Sequence, residues 1–338
     1  MVLLTVVVAL KKATRNRAER VALARRRRFG MALASGGDDE AALAALVADV
    51  GTSRLAQDVL LGVLAHEWLD VRLRDRHRFQ DALRAAGLVD VLVRRLVAAD
   101  PADRGRAALL LGHLRLAEAV HPLEPLLDDP DGDVRHAAVR AVGLVATDEA
   151  AWALVRALQR GSLPPERILE HVSERWAIDA LLAAYHIVEF AHVRAVLAEA
   201  LGLAGDPRAG AALAGILPFG SEEERVRCCR ALGRAADPAM APLVAAALQD
   251  EAWSVRAQAA RALGAMHASD RATIGRLAAG LSDPAWWVRA NCAEALVAAG
   301  PDGLAALEAA LASDDRFARE RAREALELER VREEVRAA

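Results

Sequence analysis

Apolar positions in residues 255–264 fall at Val255, Ala259, Ala262 and Leu263. That is the i, i+4, i+7, i+8 spacing of a helix with one buried face. Residues 253–264 read W-S-V-R-A-Q-A-A-R-A-L-G, and residues 286–297 read W-W-V-R-A-N-C-A-E-A-L-V, so the pattern returns after about one helix pair. A second apolar helix precedes such segments, marked by Leu213, Ile216 and Leu217, by Ile274, Leu277 and Leu281, and by Leu304, Leu307 and Leu311. Asp-Pro at 206–207, 237–238 and 283–284 breaks the chain between helices, because proline cannot extend a helix and restricts its predecessor. No stretch sustains an alternation of β-branched residues, so strands are not expected.

An arginine marks the register. Arg104, Arg135, Arg167, Arg194, Arg225, Arg256, Arg289 and Arg319 are spaced by 31, 32, 27, 31, 31, 33 and 30 residues. Eight residues after five of them stand Gly112, Gly143, Gly202, Gly233 and Gly264, which read as helix stops at positive φ. Arg175 and Glu327 hold that place in the Arg167 and Arg319 units. The expected fold is all-α: a right-handed α-solenoid of about eight helix pairs over residues 100–330, with helical caps at both ends.

The motifs G-D-P-R at 205–208 and D-P-A-W-W-V-R at 283–289 resemble those of the HEAT-repeat family, particularly its short bacterial HEAT-like, bilin-lyase-type repeats. The resemblance covers about two thirds of the chain and implies a fold far more than a chemistry.

Composition narrows the class. With 54% apolar and 4% aromatic residues, Ala, Leu and Val must form the core. The net charge of −3 offers no global basic field, which disfavours nucleic acid as a partner. Apart from Lys11 and Lys12 every basic side chain except histidine is arginine, which reflects coding composition. Cys228, Cys229 and Cys292 have no C-x-x-C spacing, so a reducing compartment is expected rather than a disulfide framework.

Residues 2–10 are apolar apart from Thr5, and residues 11–28 carry nine Lys or Arg against one Glu. Nine helical residues span only about 14 Å of a roughly 30 Å hydrocarbon core. Three readings are open: the end of a membrane anchor that starts upstream, an interfacial anchor, or a first helix packed on the solenoid. In the first two, Lys11, Lys12, Arg25, Arg26, Arg27 and Arg28 meet an anionic membrane surface. The chain resembles bacterial HEAT proteins with an N-terminal membrane segment, which implies a protein at the cytoplasmic side of the inner membrane, with a membrane enzyme as partner. Residues 29–99 read as an N-terminal helical cap and 331–338 as a charged end; pairs such as Glu320/Arg323, Glu327/Arg330 and Glu333/Arg336 suit a solvent-facing last helix.

A search for catalytic chemistry finds little. His66-Glu67 is a lone His-Glu pair, whereas the HEAT-class di-iron hydroxylase that this fold resembles uses several. His186, Glu189 and His192 form a possible metal face, and Arg227 and Arg230 beside Cys228-Cys229 could lower a thiol pKa. No nucleophile elbow, phosphate loop or H-E-x-x-H is present. No catalytic residue, metal or cofactor is therefore expected.

What remains is surface. Arg227 and Arg230, then Gln258 and Arg261, then Asn291 and Glu294 occupy equivalent polar positions in three successive repeats, and stacking should align them on the inner wall. Trp253, Trp286 and Trp287 stand where those helices begin. Trp and Arg concentrate binding energy, so these nine residues are the candidate contact surface. The bland reading is that Trp253 and Trp286 pack on the next turn, and that the repeated arginines pair with turn acids such as Asp129, Asp250 and Asp283. The expected function is a non-catalytic scaffold that binds a protein partner. The alternatives are a lyase-like enzyme or subunit handling a prosthetic group and, third, a nucleic-acid-binding HEAT protein.

Overall fold

In the computed structural model, residues 19–32, 38–66, 73–172 and 175–337 are described, and every regular element among them is helical. Residues 2–10, Lys11, Lys12 and Glu67 lie outside the described residues, as does the His66 side chain. The chain forms two compact units, Met1–His171 and Val172–Ala338.

The first unit holds helices at residues 19–32, Glu40–Thr52, Arg54–His66 and Leu73–Ala85, and then the first three repeat pairs. These pairs are Leu88–Arg95 with Pro101–Leu114, the broken helix Val120–Asp128 with Gly132–Val145, and Asp148–Arg160 with Pro165–Val172. The last is only eight residues long, so the Arg167 repeat is truncated. The second unit holds five pairs, whose second helices are Ala191–Ala204, Glu222–Ala235, Trp253–Ala265, Trp286–Ala298 and Arg316–Ala337. Three pairs and five give the eight repeats that the arginine register implies.

Asp-Pro both breaks and restarts the chain. Asp206 accepts a hydrogen bond from the Arg208 N–H while Pro207 opens the helix, and Asp237 does the same for Ala239 ahead of Pro238. Pro101–Leu114 packs side by side with Gly132–Val145 in the first unit, and successive second helices do so throughout the second. Leu232, Leu263 and Leu296 recur at one position and are completely buried. Each such burial is worth about 1.5–3 kcal/mol.

The repeated arginine forms a ladder. Arg256 donates to the carbonyls of Asp250 and Glu251 before its own helix, at 2.8 and 3.0 Å, and its Nε and Nη2 clasp Asp283 of the next turn at 2.7 and 3.0 Å. Arg104 clasps Asp129 in the same way, Arg225 forms an ion pair with Asp250 and donates to it from Nη2, and Arg194 reaches Glu224. A planar fork with five donors suits a joint that must hold its own turn and the next one together. Arg289 keeps the carbonyl bonds to Asp283 and Pro284 but stacks on Phe317, 4.4 Å from the ring centre. The Arg104 guanidinium holds the Asp129 carboxyl below its usual range. Burial raises the Asp283 pKa, and the bonds from Arg256 and the Ala285 N–H outweigh that.

The glycines eight residues after the arginines do not stop their helices. None of the five has a positive φ; the residues that do are three positions later, at Arg115, Ala146, Gly205, Ala236 and His267. The glycines sit inside the helices because the neighbouring helix leaves no room. A Cβ on Gly233 would lie 2.8 Å from Ala262 Cα, and one on Gly264 would lie 3.2 Å from Ala295 Cα. Gly112 meets Ala141 and Gly202 meets Ala231 in the same fashion.

Two charge patterns also differ from the sequence reading. Among the described side chains of Arg316–Ala337 the pairs are Arg316–Glu320, Arg321–Glu324, Arg332–Glu329 and Arg336–Glu329, in place of Glu320/Arg323 and Glu327/Arg330, while the Glu333 side chain lies outside the described residues. Residues 19–32 form a helix whose Phe29 and Ala32 are buried, so this part of the basic stretch packs on the fold. Arg25 is turned onto Asp49 (Nε–Oδ2 2.7 Å) rather than outward, and Arg28 lies 3.7 Å from the same carboxylate. Among the described residues no helix is long and apolar enough to cross a membrane.

Candidate functional site

The second unit brings the polar positions of its second helices into one surface. Each repeat contributes residues at the same four heights, which a helix places on one stripe. Glu223, Arg227, Arg230 and Arg234 come from one helix, Ser254, Gln258, Arg261 and Ala265 from the next, and Trp287, Asn291, Glu294 and Ala298 from the third.

Glu199, at the height of Arg230 one helix earlier, organises the first of these rows. It forms an ion pair with Arg227 and lies 3.8 Å from Arg230 and 3.4 Å from Arg234. Arg227 also pairs with Glu223 at 3.1 Å, leaving its guanidinium half-buried between two carboxylates. Arg230, Arg234, Gln258 and Arg261 then rim a pocket of about 400 Å³ floored by Gly233, Ala262 and Ala265. Arg261 is exposed and meets no carboxylate among the described residues. Glu199 and Arg234 escaped the sequence reading, although the 31-residue offset from Arg230 to Glu199 carries the signal.

Asn291 serves structure: its amide donates to the Ala257 carbonyl at 2.8 Å and ties its helix to the preceding one. Glu294 is exposed and lies outside the pocket lining. The tryptophans gather at the other end of the helices. Trp253 and Trp286 are each the first residue of a helix, and both are about half exposed. Trp287 is 58% exposed and meets Trp286 edge-on, with ring centres 4.7 Å apart. Arg321 lies 5.5 Å over the Trp286 ring, so that tryptophan is partly held by its neighbours.

Other candidates are resolved differently. Cys228 and Cys229 are both completely buried. Burial pushes Cys228 up to about 11 and raises Cys229 further, and Arg227 points to Glu199 rather than to a thiolate. The Tyr185 hydroxyl lies 3.2 Å from Cys228 Sγ in this core. Cys292 is likewise buried and pushed up to about 12. The helix carrying His186 ends at Ile187 and the chain runs extended through Val188, so Glu189 and His192 share no helix face with it. Among the described residues no group of metal-ligating side chains comes together.

Residues 88–168 and 219–274 match the family model for HEAT repeats. No curated protein matches the sequence. Among solved structures, the chain is similar to human deoxyhypusine hydroxylase in complex with glycerol, at 24% identity over 72% of this chain and 95% of that one, TM-score 0.33. It is similar to the karyopherin Kap121p bound to Pho4p at 16% identity over 92% of this chain and 45% of that one, TM-score 0.48. It is also similar to the complex of CpcE and CpcF of phycocyanin lyase from Nostoc, at 22% identity over 69% of this chain and 91% of that one, TM-score 0.31. The stacked pairs, the arginine ladder and the family match together identify residues 88–168 and 219–274 as HEAT repeats of an all-α protein.

Proposed function

We propose that this chain is a non-catalytic scaffold that holds a protein partner against the second-helix surface of its second unit. The observation that carries the reading is the exposure of Trp253, Trp286 and Trp287 on helices whose polar stripe also presents unpaired and shared arginines. An indole half open to water leaves much of its apolar area uncovered, and burying 100 Å² of it is worth roughly 2.5 kcal/mol. The test is affinity capture of the full chain after mild crosslinking, beside a Trp253→Ala/Trp287→Ala variant shown by circular dichroism to be folded. Loss of the captured protein in the variant supports the reading; equal recovery from both chains refutes it.

The scaffold is placed at the cytoplasmic face of a bacterial inner membrane, with a membrane enzyme as the partner. The support is the order of the N-terminal sequence, with apolar residues 2–10 directly before Lys11 and Lys12. Since Arg25 is occupied by Asp49, the membrane-facing charge falls to Lys11 and Lys12, with Arg26, Arg27 and Arg28 exposed on the following helix. Flotation with anionic vesicles tests this. Binding by the full chain that is lost with Lys11→Glu/Lys12→Glu supports it, and absence of flotation rejects it.

A further inference from the structure

We infer that the pocket rimmed by Arg230, Arg234 and Arg261 receives carboxylates from an acidic peptide segment of the partner, a reading that rests on the scaffold function proposed above. Its rim is cationic: three guanidiniums from two successive helices, joined by the Gln258 amide, with no acidic side chain in the lining. The charges behind the rim do not cancel it. Glu199 serves Arg227, Arg230 and Arg234 at once, and Glu223 is already paired with Arg227. Arg261 meets no carboxylate among the described residues, and Glu294, one helix further on, is exposed outside the lining.

The floor suits a peptide. Gly233, Ala262 and Ala265 carry almost no side chain, so an extended main chain can approach the helices while its acidic side chains reach the rim. Guanidinium forks match carboxylates in a two-point geometry. The site reverses the sign of a chain whose net charge is −3, so it selects locally for acid. A nucleic-acid strand would require a basic track along many phosphates and bases stacked on aromatics, whereas the tryptophans stand at the helix starts, away from this pocket.

The experiment measures fluorescence anisotropy of a labelled short oligoglutamate peptide against the full chain at low ionic strength. The comparisons are Arg261→Glu, Arg230→Glu/Arg234→Glu and, on an exposed first helix of the same unit, Arg276→Glu, each checked for native circular dichroism. The expected result is binding that weakens about tenfold or more with either pocket variant, stays unchanged in Arg276→Glu, and fades with added salt. Absence of peptide binding, equal weakening by Arg276→Glu, or tighter binding of a single-stranded oligonucleotide of equal charge overturns the inference. The two levels separate cleanly. A captured partner that binds Arg261→Glu as well as the wild type removes the acidic-peptide site and leaves the scaffold. A wild-type chain that captures nothing removes the scaffold whatever the peptide does.

Discussion

Gly233→Ala is the substitution through which the packing account is most exposed to refutation. In an isolated helix, alanine is favoured over glycine by about 1 kcal/mol. Here the added Cβ would lie 2.8 Å from Ala262 Cα and 2.9 Å from its Cβ, where carbon contacts settle near 3.5–4.0 Å. The obstructing atoms belong to a helix backbone and a methyl group, so no flexible side-chain tip can swing aside. The two helices must part by roughly 1 Å, which loosens the contacts around Leu232 and Leu263. Overpacking of this kind costs about 1–3 kcal/mol. With a rigid obstacle at the top of that range, the net effect is a loss of about 2 kcal/mol after the helix preference is returned. Gly275→Ala is the matched control, because it also lies inside a helix and nothing stands within 4 Å of its added Cβ. That variant should gain about 0.5–1 kcal/mol. Urea denaturation followed by far-ultraviolet circular dichroism should show opposite shifts of the midpoint. A Gly233→Ala protein as stable as Gly275→Ala would refute the claim that helix contact, rather than helix termination, requires glycine at this place in the repeat.

The remaining predictions test other parts of the fold. Ala236 has a φ of 50°, so Ala236→Gly should raise the denaturation midpoint by an amount equivalent to about 0.5–1 kcal/mol, and an unchanged or lower midpoint contradicts the strain. The Asp129 carboxyl is depressed in the folded state by Arg104, so its contribution is present above the unfolded pKa near 3.9 and is lost as pH falls through the lower folded value. The stability gap between wild type and Asp129→Asn should therefore be full near neutral pH and close on acidification below about pH 4; a gap independent of pH would remove the ion pair as its cause. Cys228, Cys229 and Cys292 should resist iodoacetamide in the native protein at mildly alkaline pH and react on unfolding. Labelling of native Cys228 at the rate of a free thiol would show that the core opens there.

The repeat register, the helix pairs and the arginine ladder were legible because each is a periodic property of one chain. Arg256 finds Asp283 because the arginine recurs in register and an aspartate stands in the following turn, as it does for Arg104 with Asp129 and Arg225 with Asp250. The role of Gly233 was misread because its cause, Ala262, belongs to the neighbouring helix, whereas a glycine near a helix end reads locally as a stop. The actual left-handed positions at Arg115, Ala146 and Ala236 carry residues that do not favour that conformation, so the series gave no consistent signal even though Gly205 holds the same place. Arg25 looked like surface charge until Asp49 was folded against it. Of the candidate surface, Trp287, Arg230, Gln258 and Arg261 are available for contact, while Asn291 is engaged with the Ala257 carbonyl and Arg227 lies between Glu199 and Glu223. The activated-thiol reading of Cys228 and Cys229 failed because the helices on either side, invisible in the local sequence, bury both side chains.

The central claim, that a protein partner docks on this stripe, is tested most directly by photo-crosslinking from defined positions in the native host. A benzophenone amino acid is placed at Gln258 in the pocket, or at Arg276 on an exposed first helix of the same unit. The account predicts one discrete adduct from position 258, abolished by Arg261→Glu, and none from position 276. Adducts of equal yield from both positions, or an adduct from position 276 alone, would contradict it.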